Sequence, residues 1–194
     1  MNYPQEIGMR LELCAWILAG GKSRRMGQDK ARLLFRGEPL LVRSARLLRG
    51  LTDEVHVLAA VGQYDDLGFV CTPDLRAESG PLAGIEAALT ASRCDWNWIV
   101  ACDMPYLEES WLRFLAEQAV TRNLDCVVSK DPERGMNPLC GVWNRRALPL
   151  VREMLDEGQF RVRDAAARLG ALELTPEDPK ILANWNEPVD VREE

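Results

Sequence analysis

The chain has 194 residues, of which 47% are hydrophobic and 28% are charged, and its formal net charge is -6 at pH 7. This ordinary globular usage excludes a disordered protein, and the acidic balance argues against a nucleic-acid partner, because general nucleic-acid binders carry a basic face. The length fits one domain over residues 1–194, with residues 1–12 expected to form a flexible extension.

The start of the chain, residues 1–13, lacks a basic stretch followed by a long apolar core, so we expect no secretory signal. No run approaches the roughly 20 apolar residues that span a bilayer, so we expect no membrane partner either. The expected location is therefore the cytoplasm.

Short apolar runs rich in β-branched and aromatic residues alternate with helical patterns. Strands are predicted over residues 13–18, 54–60, 96–102, 125–129 and 139–143, with a further strand near residue 70. Helices are predicted over residues 39–51, 80–91 and 107–123. In the first helix an apolar face opposes a basic face: Leu41, Ala45 and Leu48 against Arg43, Arg46 and Arg49.

The alternation of strands and helices predicts an α/β fold, a three-layer Rossmann-like domain with a mostly parallel sheet. Ligands of such sheets collect beyond the carboxyl ends of the strands. Three segments follow predicted strands there: "AGGKSRRMG" (19–27), "TPDLRAESGPLAG" (72–84) and "CDMP" (102–105). Their glycines, basic residues and aspartates are predicted to share one edge of the sheet.

The chain has six cysteines, Cys14, Cys71, Cys94, Cys102, Cys126 and Cys140, and none are spaced as C-x-x-C. The single histidine, His56, alternates with two valines in a predicted strand, which favours packing over catalysis. This supply of ligands argues against a zinc site. We therefore expect reduced, packed thiols, as in a cytosolic protein.

The first loop, "LAGGKSRRMGQDK" (18–30), concentrates basic residues next to a glycine pair. It is not a P-loop, because Trp16 stands where the first glycine belongs, and Lys22 likewise breaks the dinucleotide-binding fingerprint. Adjacent glycines still let backbone N–H groups turn toward an anion, and the basic side chains offset phosphate charge. The loop therefore predicts a triphosphate site, and the alternative is a solvated basic turn.

Asp103 directly follows the apolar run "WNWIVAC" (96–102). A carboxylate there is costly unless it has a partner or emerges at a site. Mg²⁺ is bound through one or two carboxylates together with substrate phosphates, so Asp103 is the predicted metal ligand. The alternative is a helix-capping aspartate ahead of Pro105.

Several motifs occur in a fixed order: "LAGGKSRRMGQDKARL", "GEPLL", "PD", "SGPLAG", "CDMPYL", "NPLCGVWNRRALPLVREML" and "NWNEPVD". Together they resemble the MobA-type molybdenum cofactor guanylyltransferases of the nucleotidyltransferase group, over residues 18–190. The resemblance implies the nucleotidyltransferase type of the three-layer fold. It also implies transfer of GMP from GTP to molybdopterin, with Mg²⁺ bound and pyrophosphate released.

The resemblance also implies roles for individual residues. The implied nucleotide-binding set is Leu18, Ala19, Gly20, Gly21, Lys22, Lys30, Asp74 and Asp103. The implied catalytic set is Lys30, Arg25 and Asp103, with Asp103 on the metal, and the implied acceptor-binding set is Asn137, Asn184 and Asn186. Gly20 is expected to favour guanine, because a residue without a Cβ lets the base approach its N–H and C=O.

One departure from the family pattern bears on the base, since Ala60 stands about where an asparagine is common. Alternatives to guanylyl transfer are cytidylyl transfer to molybdopterin and nucleotidyl transfer to a sugar phosphate. A non-catalytic nucleotide-binding assembly protein is a further alternative, against which Lys30 and Asp103 both argue. Expected partners are other proteins of molybdenum cofactor biosynthesis and the enzymes that accept the cofactor.

Overall fold

The structure, a computed structural model, describes residues 12–20, 29–76 and 78–185. Its strands are β1 (Leu13–Leu18), β2 (Leu34–Phe35), β3 (Glu38–Pro39), β4 (Val55–Leu58), β5 (Cys71–Thr72), β6 (Trp96–Ala101), β7 (Cys126–Asp131), β8 (Gly135–Asn144) and β9 (Leu172–Leu174). Its α-helices are α1 (Leu40–Arg49), α2 (Pro81–Ala91), α3 (Glu109–Thr121), α4 (Leu148–Asp156) and α5 (Val162–Arg168). Most of the expected extension, residues 1–11, lies outside the described residues.

Seven strands form one sheet in the order β5-β4-β1-β6-β8-β7-β9. The pairs of β1 with β4, β1 with β6, β4 with β5 and β7 with β9 are parallel, whereas β8 runs antiparallel to both of its neighbours. The predicted α/β class with a mostly parallel sheet is therefore confirmed. The strands β2 and β3 form a separate small hairpin.

The two faces of the sheet carry different sets of helices, because residues alternate in direction along each strand. Ala15 and Ile17 of β1 belong to the core that includes buried residues of α1 and α3. Trp16, between them, packs in a second core with buried residues of α2, α4 and α5. The result is the predicted three-layer arrangement, with helices covering both faces.

The helices follow the sequence patterns closely. Leu41, Ala45 and Leu48 of α1 are buried, as the predicted apolar face requires. The proline at the start of α2 suits a first helical turn, and nearly all of this helix is buried. Within residues 12–20, 29–76 and 78–185, no helix combines the length and the apolarity that crossing a bilayer requires.

The cysteines differ from the expectation of six reduced thiols. Cys14, in β1, forms a disulfide with Cys94, so the prediction is wrong for this pair. The pairing of Leu13 with Trp96 brings the starts of two strands together, which spacing along the chain could not show. The other cysteines are free and buried, and burial raises the pKa of the Cys140 thiol to about 12.

The ladder between β7 and β8 is irregular, and a buried hydroxyl supports it. The register shifts between Val128 and Ser129, so that Ser129 pairs with Asn137. The Ser129 hydroxyl donates to the carbonyl of Cys140 at 2.8 Å and accepts the indole N–H of Trp111, also at 2.8 Å. The hydroxyl thus satisfies two buried groups beside the irregularity and ties α3 to the sheet.

We expect Ser129→Ala to lower the free energy of unfolding by about 1–3 kcal/mol, because the indole N–H and the carbonyl would lose a buried partner. Denaturant unfolding measures this loss. Ser110→Ala is the control, since Ser110 is exposed and its hydroxyl donates to the exposed residue Glu108, and we expect a change within about 0.5 kcal/mol. Equal stability of the two variants would contradict the structural role of the Ser129 hydroxyl.

Candidate active site

The carboxyl ends of three adjacent strands, β4, β1 and β6, meet at one edge of the sheet. Hydrogen bonds continue beyond the strand ends: the N–H groups of Ala19 and Gly20 donate to the carbonyl of Leu58 at 3.1 and 2.9 Å. On the other side, the N–H of Cys102 donates to the carbonyl of Leu18 at 3.2 Å. The loops that follow these strands therefore start from a fixed backbone.

Lys30 and Asp103 meet at this edge, where Lys30 closes the first loop after β1 and Asp103 follows β6. The Lys30 ammonium lies 3.1 Å from Oδ2 of Asp103, and the two side chains are 22% and 14% exposed. Lys30 opens a 3-10 helix, whose first turn is capped by the Asp29 carboxylate through the N–H of Ala31. An ion pair with so little exposure is stronger than a surface pair, because water screens it less.

The second carboxylate oxygen of Asp103 is buried and has no hydrogen-bond partner among the residues that the structure describes. A buried ionised oxygen without a partner is costly, so its position calls for a ligand. A hard, oxygen-preferring cation such as Mg²⁺ fits this donor, with substrate phosphates completing its coordination. Asp103 is thus able to hold the metal that the sequence predicted.

Tyr64 links the two ends of the first loop, and sequence reasoning missed it. Its hydroxyl lies 3.1 Å from the carbonyl oxygen of Ala19 and 3.0 Å from the carboxylate of Asp29, and it accepts a bond from the Gln63 amide. Burial, together with the charge of Asp29, raises the pKa of the Tyr64 phenol, which therefore stays a donor. Ala19 and Asp29, near the two ends of the loop, are thus held by one hydroxyl group.

The signal for Tyr64 in the sequence is weak. It is an aromatic residue in the mixed stretch that joins β4 to β5, with Gly62 before it and Asp65 and Asp66 after it. Nothing in that stretch indicates that the ring is fully buried, or that its hydroxyl faces the loop after β1. This information comes from the contact between segments 45 residues apart in the chain.

Asp74 and Leu18 are brought together at α2. Each has a side-chain atom 3.4 Å from the place where a Cβ at Gly84 would lie, so the glycine leaves room for both. Asp74 as a residue is exposed, yet loss of solvent around its carboxyl group raises the pKa of Asp74 above the ordinary value. A carboxylate in this state gains from hydrogen bonds that a ligand can donate.

Gly20 lies where the chain after β1 passes the chain after β4. Its N–H, which the sequence analysis expected to meet guanine, donates to the carbonyl of Leu58 in this structure. A Cβ at Gly20 would lie 3.3 Å from the Cα of Ala59 and 3.4 Å from the carbonyl oxygen of Leu58, which is tighter than ordinary contact. The glycine thus permits close approach of the chain after β1 to the chain after β4. Ala60, at the position of the missing asparagine, is exposed.

Two of the predicted acceptor residues lie beside the segment that carries Asp103. The amide of Asn137 donates to the sulfur of Met104 at 3.7 Å. The N–H of Trp185 donates to the backbone carbonyl of Asp103 at 2.9 Å, which brings the preceding residue, Asn184, to the same edge. The predicted residues Gly21, Lys22, Arg25 and Asn186 lie outside the described residues.

Arg43 supports this edge of the sheet. Its place on the basic face of α1 had suggested a side chain that faces solvent. It is half-buried, its Nε donates to the carbonyl of Pro105 at 2.6 Å, and its guanidinium lies over the ring of Phe35. Arg46, on the same helix, is exposed and pairs with Glu38 at 2.8 Å. Arg43 therefore fixes the segment after Asp103, while Arg46 lies on the surface as predicted.

Comparison with known proteins gives a consistent relationship. The family model of the MobA-like NTP transferase domain matches residues 15–172. A protein of Deinococcus radiodurans named probable molybdenum cofactor guanylyltransferase is 36% identical over 184 residues, covering 94% of this chain and 94% of that protein. A protein of Synechococcus elongatus with the same name is 33% identical over 187 residues, covering 93% of this chain and 96% of that protein.

Solved structures agree at the level of the fold. The crystal structure of molybdopterin-guanine dinucleotide biosynthesis protein A from Archaeoglobus fulgidus matches with a TM-score of 0.79 at 20% sequence identity. The match covers 92% of this chain and 94% of that chain. The nucleotidyltransferase type of the three-layer fold is thereby confirmed.

We expect Tyr64→Phe to lower the affinity for a nucleoside triphosphate by roughly tenfold, or about 1.4 kcal/mol, because both ends of the first loop lose a shared partner. It should also lower the free energy of unfolding by about 1 kcal/mol. Calorimetric titration and denaturant unfolding measure the two effects separately.

Thr52→Val is the matched control for Tyr64→Phe. The Thr52 hydroxyl is also buried, and it donates to the carbonyl of Leu13, at the opposite end of β1 from Ala19. Its loss should reduce stability without reducing nucleotide affinity. If both variants weakened nucleotide binding to the same extent, Tyr64 would have no specific influence on the loop.

Proposed function

The chain belongs to the MobA-like NTP transferase family, and from that membership we propose that it transfers GMP from GTP to molybdopterin and releases pyrophosphate. The observation that carries the proposal is the contact between Lys30 and Asp103 at the strand ends, with the second carboxylate oxygen of Asp103 buried and open to a ligand. The proposed setting is a single catalytic domain in the cytoplasm. Its proposed protein partners are other enzymes of cofactor biosynthesis and the enzymes that receive the cofactor.

The reaction sets an electrostatic task for the protein. A phosphate oxygen of molybdopterin attacks the α-phosphorus of GTP, a new P–O bond forms, and the bond to the bridging oxygen of pyrophosphate breaks. Repulsion between the two anions opposes this attack, so the protein must neutralise charge and align the groups. A general base is not needed, because a phosphate monoester is already largely ionised near neutral pH.

Lys30 supplies part of that neutralisation. Its ammonium is held beside Asp103 with little exposure, so the positive charge is already positioned before the nucleotide binds. Phosphates that enter the site would compete with the carboxylate for this ammonium. In the proposal, Lys30 therefore passes from Asp103 to the phosphates, with Lys22 and Arg25 as further cations from the same loop.

Asp103 would hold the metal. Mg²⁺, when bound there, supplies Lewis-acid polarisation of the phosphates and offsets their charge. The carboxylate contributes a buried oxygen with no competing donor among the described residues, on a backbone that Trp185 and Leu18 hold on either side. Its orientation is thus set by the fold and not by the substrate.

The nucleoside would lie between the end of β1 and the start of α2. Leu18 offers an apolar contact there, and the Asp74 carboxylate, short of solvent, would accept hydrogen bonds from N–H or O–H groups of the nucleotide. Molybdopterin would enter on the side of Asn137, Asn184 and Asn186, whose amides can both donate to and accept from a pterin.

The proposed activity is tested by incubating the purified chain with Mg²⁺, molybdopterin and one nucleotide at a time. Pyrophosphate release and the mass of the product are measured for GTP, CTP and ATP. We expect the highest kcat/KM with GTP, because a site that pairs with one base leaves buried groups unpaired when another enters. A preference for CTP would overturn guanylyl transfer, and no product with any nucleotide would overturn the enzymatic proposal.

We expect Asp103→Ala to fold and to lose activity by a factor on the order of 10³ or more, since the metal's contribution amounts to several kcal/mol. Steady-state kinetics at saturating Mg²⁺ measures the loss. Asp125→Ala is the control, because Asp125 is also a carboxylate paired with a basic residue, Arg146, but on the exposed surface. Activity of Asp103→Ala within a few-fold of the parent would exclude Asp103 as the metal ligand.

Lys30→Ala is expected to lower kcat by roughly 10² or more, the scale for removal of one preorganised charged group. Arg46→Ala removes an equal charge from the exposed face of α1 and should change kcat little. Comparable losses in the two variants would mean that overall charge, and not a specific anion site, governs the rate.

A further inference from the structure

A second group of potential ligands lies at the opposite edge of the sheet from the candidate active site. Cys14, Glu54 and His56 each direct one donor atom into a space where all three atoms lie within 4.8 Å of one another. Ala15 pairs with Val55 and Trp16 with His56, which places these side chains on one face of the sheet near the starts of β1 and β4. The group is therefore built by strand register.

Cys94 extends this group to four. It precedes β6, on the other side of β1 from β4, and it is joined to Cys14 by the disulfide. Reduction of that bond would give two thiols, one imidazole and one carboxylate from three adjacent segments. Cys14, Glu54, His56 and Cys94 are called the N-terminal cluster below.

The N-terminal cluster runs from the interior to the surface. Cys14 is only 1% exposed, whereas the side chains of His56 and Glu54 are 37% and 55% exposed. Two contacts orient His56. Its ring stacks on that of Trp16 with the ring centroids 4.4 Å apart, and its Nε2 lies 3.3 Å from the Glu54 carboxylate. An ion can thus arrive from solvent at donors that the fold already holds near one another.

The spacing of the cysteines and the single histidine argued against zinc, but the fold brings ligands together that are far apart in the chain. We propose that the N-terminal cluster is a Zn²⁺ site when the disulfide is reduced, with Cys14, Cys94, His56 and Glu54 as ligands. Zn²⁺ takes four thiolate, imidazole and carboxylate ligands in a tetrahedral arrangement, and this is the donor set that the cluster offers. Mg²⁺ prefers oxygen ligands alone, so the two ends of the sheet suit different ions. The site is separate from the catalytic edge, since Cys14 and Leu18 are about 13 Å apart along β1.

The chemistry of the switch balances with a dithiol reductant. The dithiol transfers two electrons and two protons to the Cys14–Cys94 disulfide, giving two cysteine thiols and an oxidised, cyclic dithiol. Zn²⁺ then binds the two sulfurs as thiolates and releases two protons to solvent. The disulfide and the metal are therefore alternative ways to join the same segments.

Occupancy has a structural consequence. The ligands come from the starts of β1 and β4 and from the segment before β6, so one ion would cross-link three neighbouring segments of the sheet. An ion that binds only the folded chain shifts the folding equilibrium toward it. The reduced protein should therefore unfold at a higher temperature with Zn²⁺ than without it.

The test uses the full chain, reduced with a phosphine under anaerobic conditions and freed of metal. Co²⁺ is titrated as a spectroscopic probe for the zinc site, and thiolate-to-cobalt charge-transfer absorption reports coordination by sulfur. We expect about one equivalent to bind and Zn²⁺ to displace it. The oxidised protein should show no such absorption, because its two sulfurs are joined in the disulfide. A Co²⁺ ion held by the Asp103 carboxylate has oxygen ligands there and would not produce this band.

Variants assign the ligands. His56→Ala and Cys94→Ser should weaken Zn²⁺ binding by roughly tenfold or more. Cys71→Ala should bind as the parent does, because Cys71 is a buried free thiol outside the N-terminal cluster. Equal affinity in His56→Ala, Cys94→Ser and the parent would overturn the proposal.

A measurement on the parent chain alone guards against variants that fail to fold. Alkylation of Cys94 in the reduced protein, followed by mass spectrometry, should be slowed by Zn²⁺ and not by Mg²⁺. Absence of both Zn²⁺ protection and charge-transfer absorption in the reduced parent would overturn the proposed site. Neither readout depends on nucleotidyl transfer, so failure of this proposal and failure of the proposed activity are distinguishable.

Discussion

The ion pair between Lys30 and Asp103 is the contact on which the candidate active site depends. It joins the last residue of the first loop to the segment that follows β6. It leaves one buried oxygen of Asp103 without a partner among the described residues. Loss of either partner would leave a poorly solvated charge, so the pair fixes both segments. The buried oxygen without a partner lowers the stability of the chain without ligand, and a loss of this kind is expected where a ligand is to bind.

Side chains away from this pair hold the backbone around it. Tyr64 connects both ends of the first loop, and Arg43 donates to the carbonyl of Pro105. The N–H of Trp185 donates to the backbone carbonyl of Asp103. In the proposed reaction these groups would limit how far Lys30 and Asp103 move when phosphates enter, so that part of the alignment would be completed before binding.

The two edges of one sheet offer different chemistry. At the carboxyl ends of the strands, carboxylates and a lysine suit phosphates and a hard cation, in keeping with the proposed reaction. At the amino ends, two cysteines, a histidine and a glutamate form a group suited to a softer ion. Because β1 runs through both, the proposed cross-link at its start would stiffen the strand whose end leads into the first loop.

The sequence by itself determined the α/β alternation, the buried face of α1 and the edge of the sheet at which the segments after β1 and β6 meet. These follow from periodicity along single elements and from the rule that parallel strands end at one edge. Only the tertiary structure decided the ion pair of Lys30 with Asp103, the bonds of Tyr64, the Cys14–Cys94 disulfide and the placement of His56 near Cys14. Such contacts depend on which residues face each other across neighbouring segments. That register is set by packing of the whole sheet, and no local spacing encodes it.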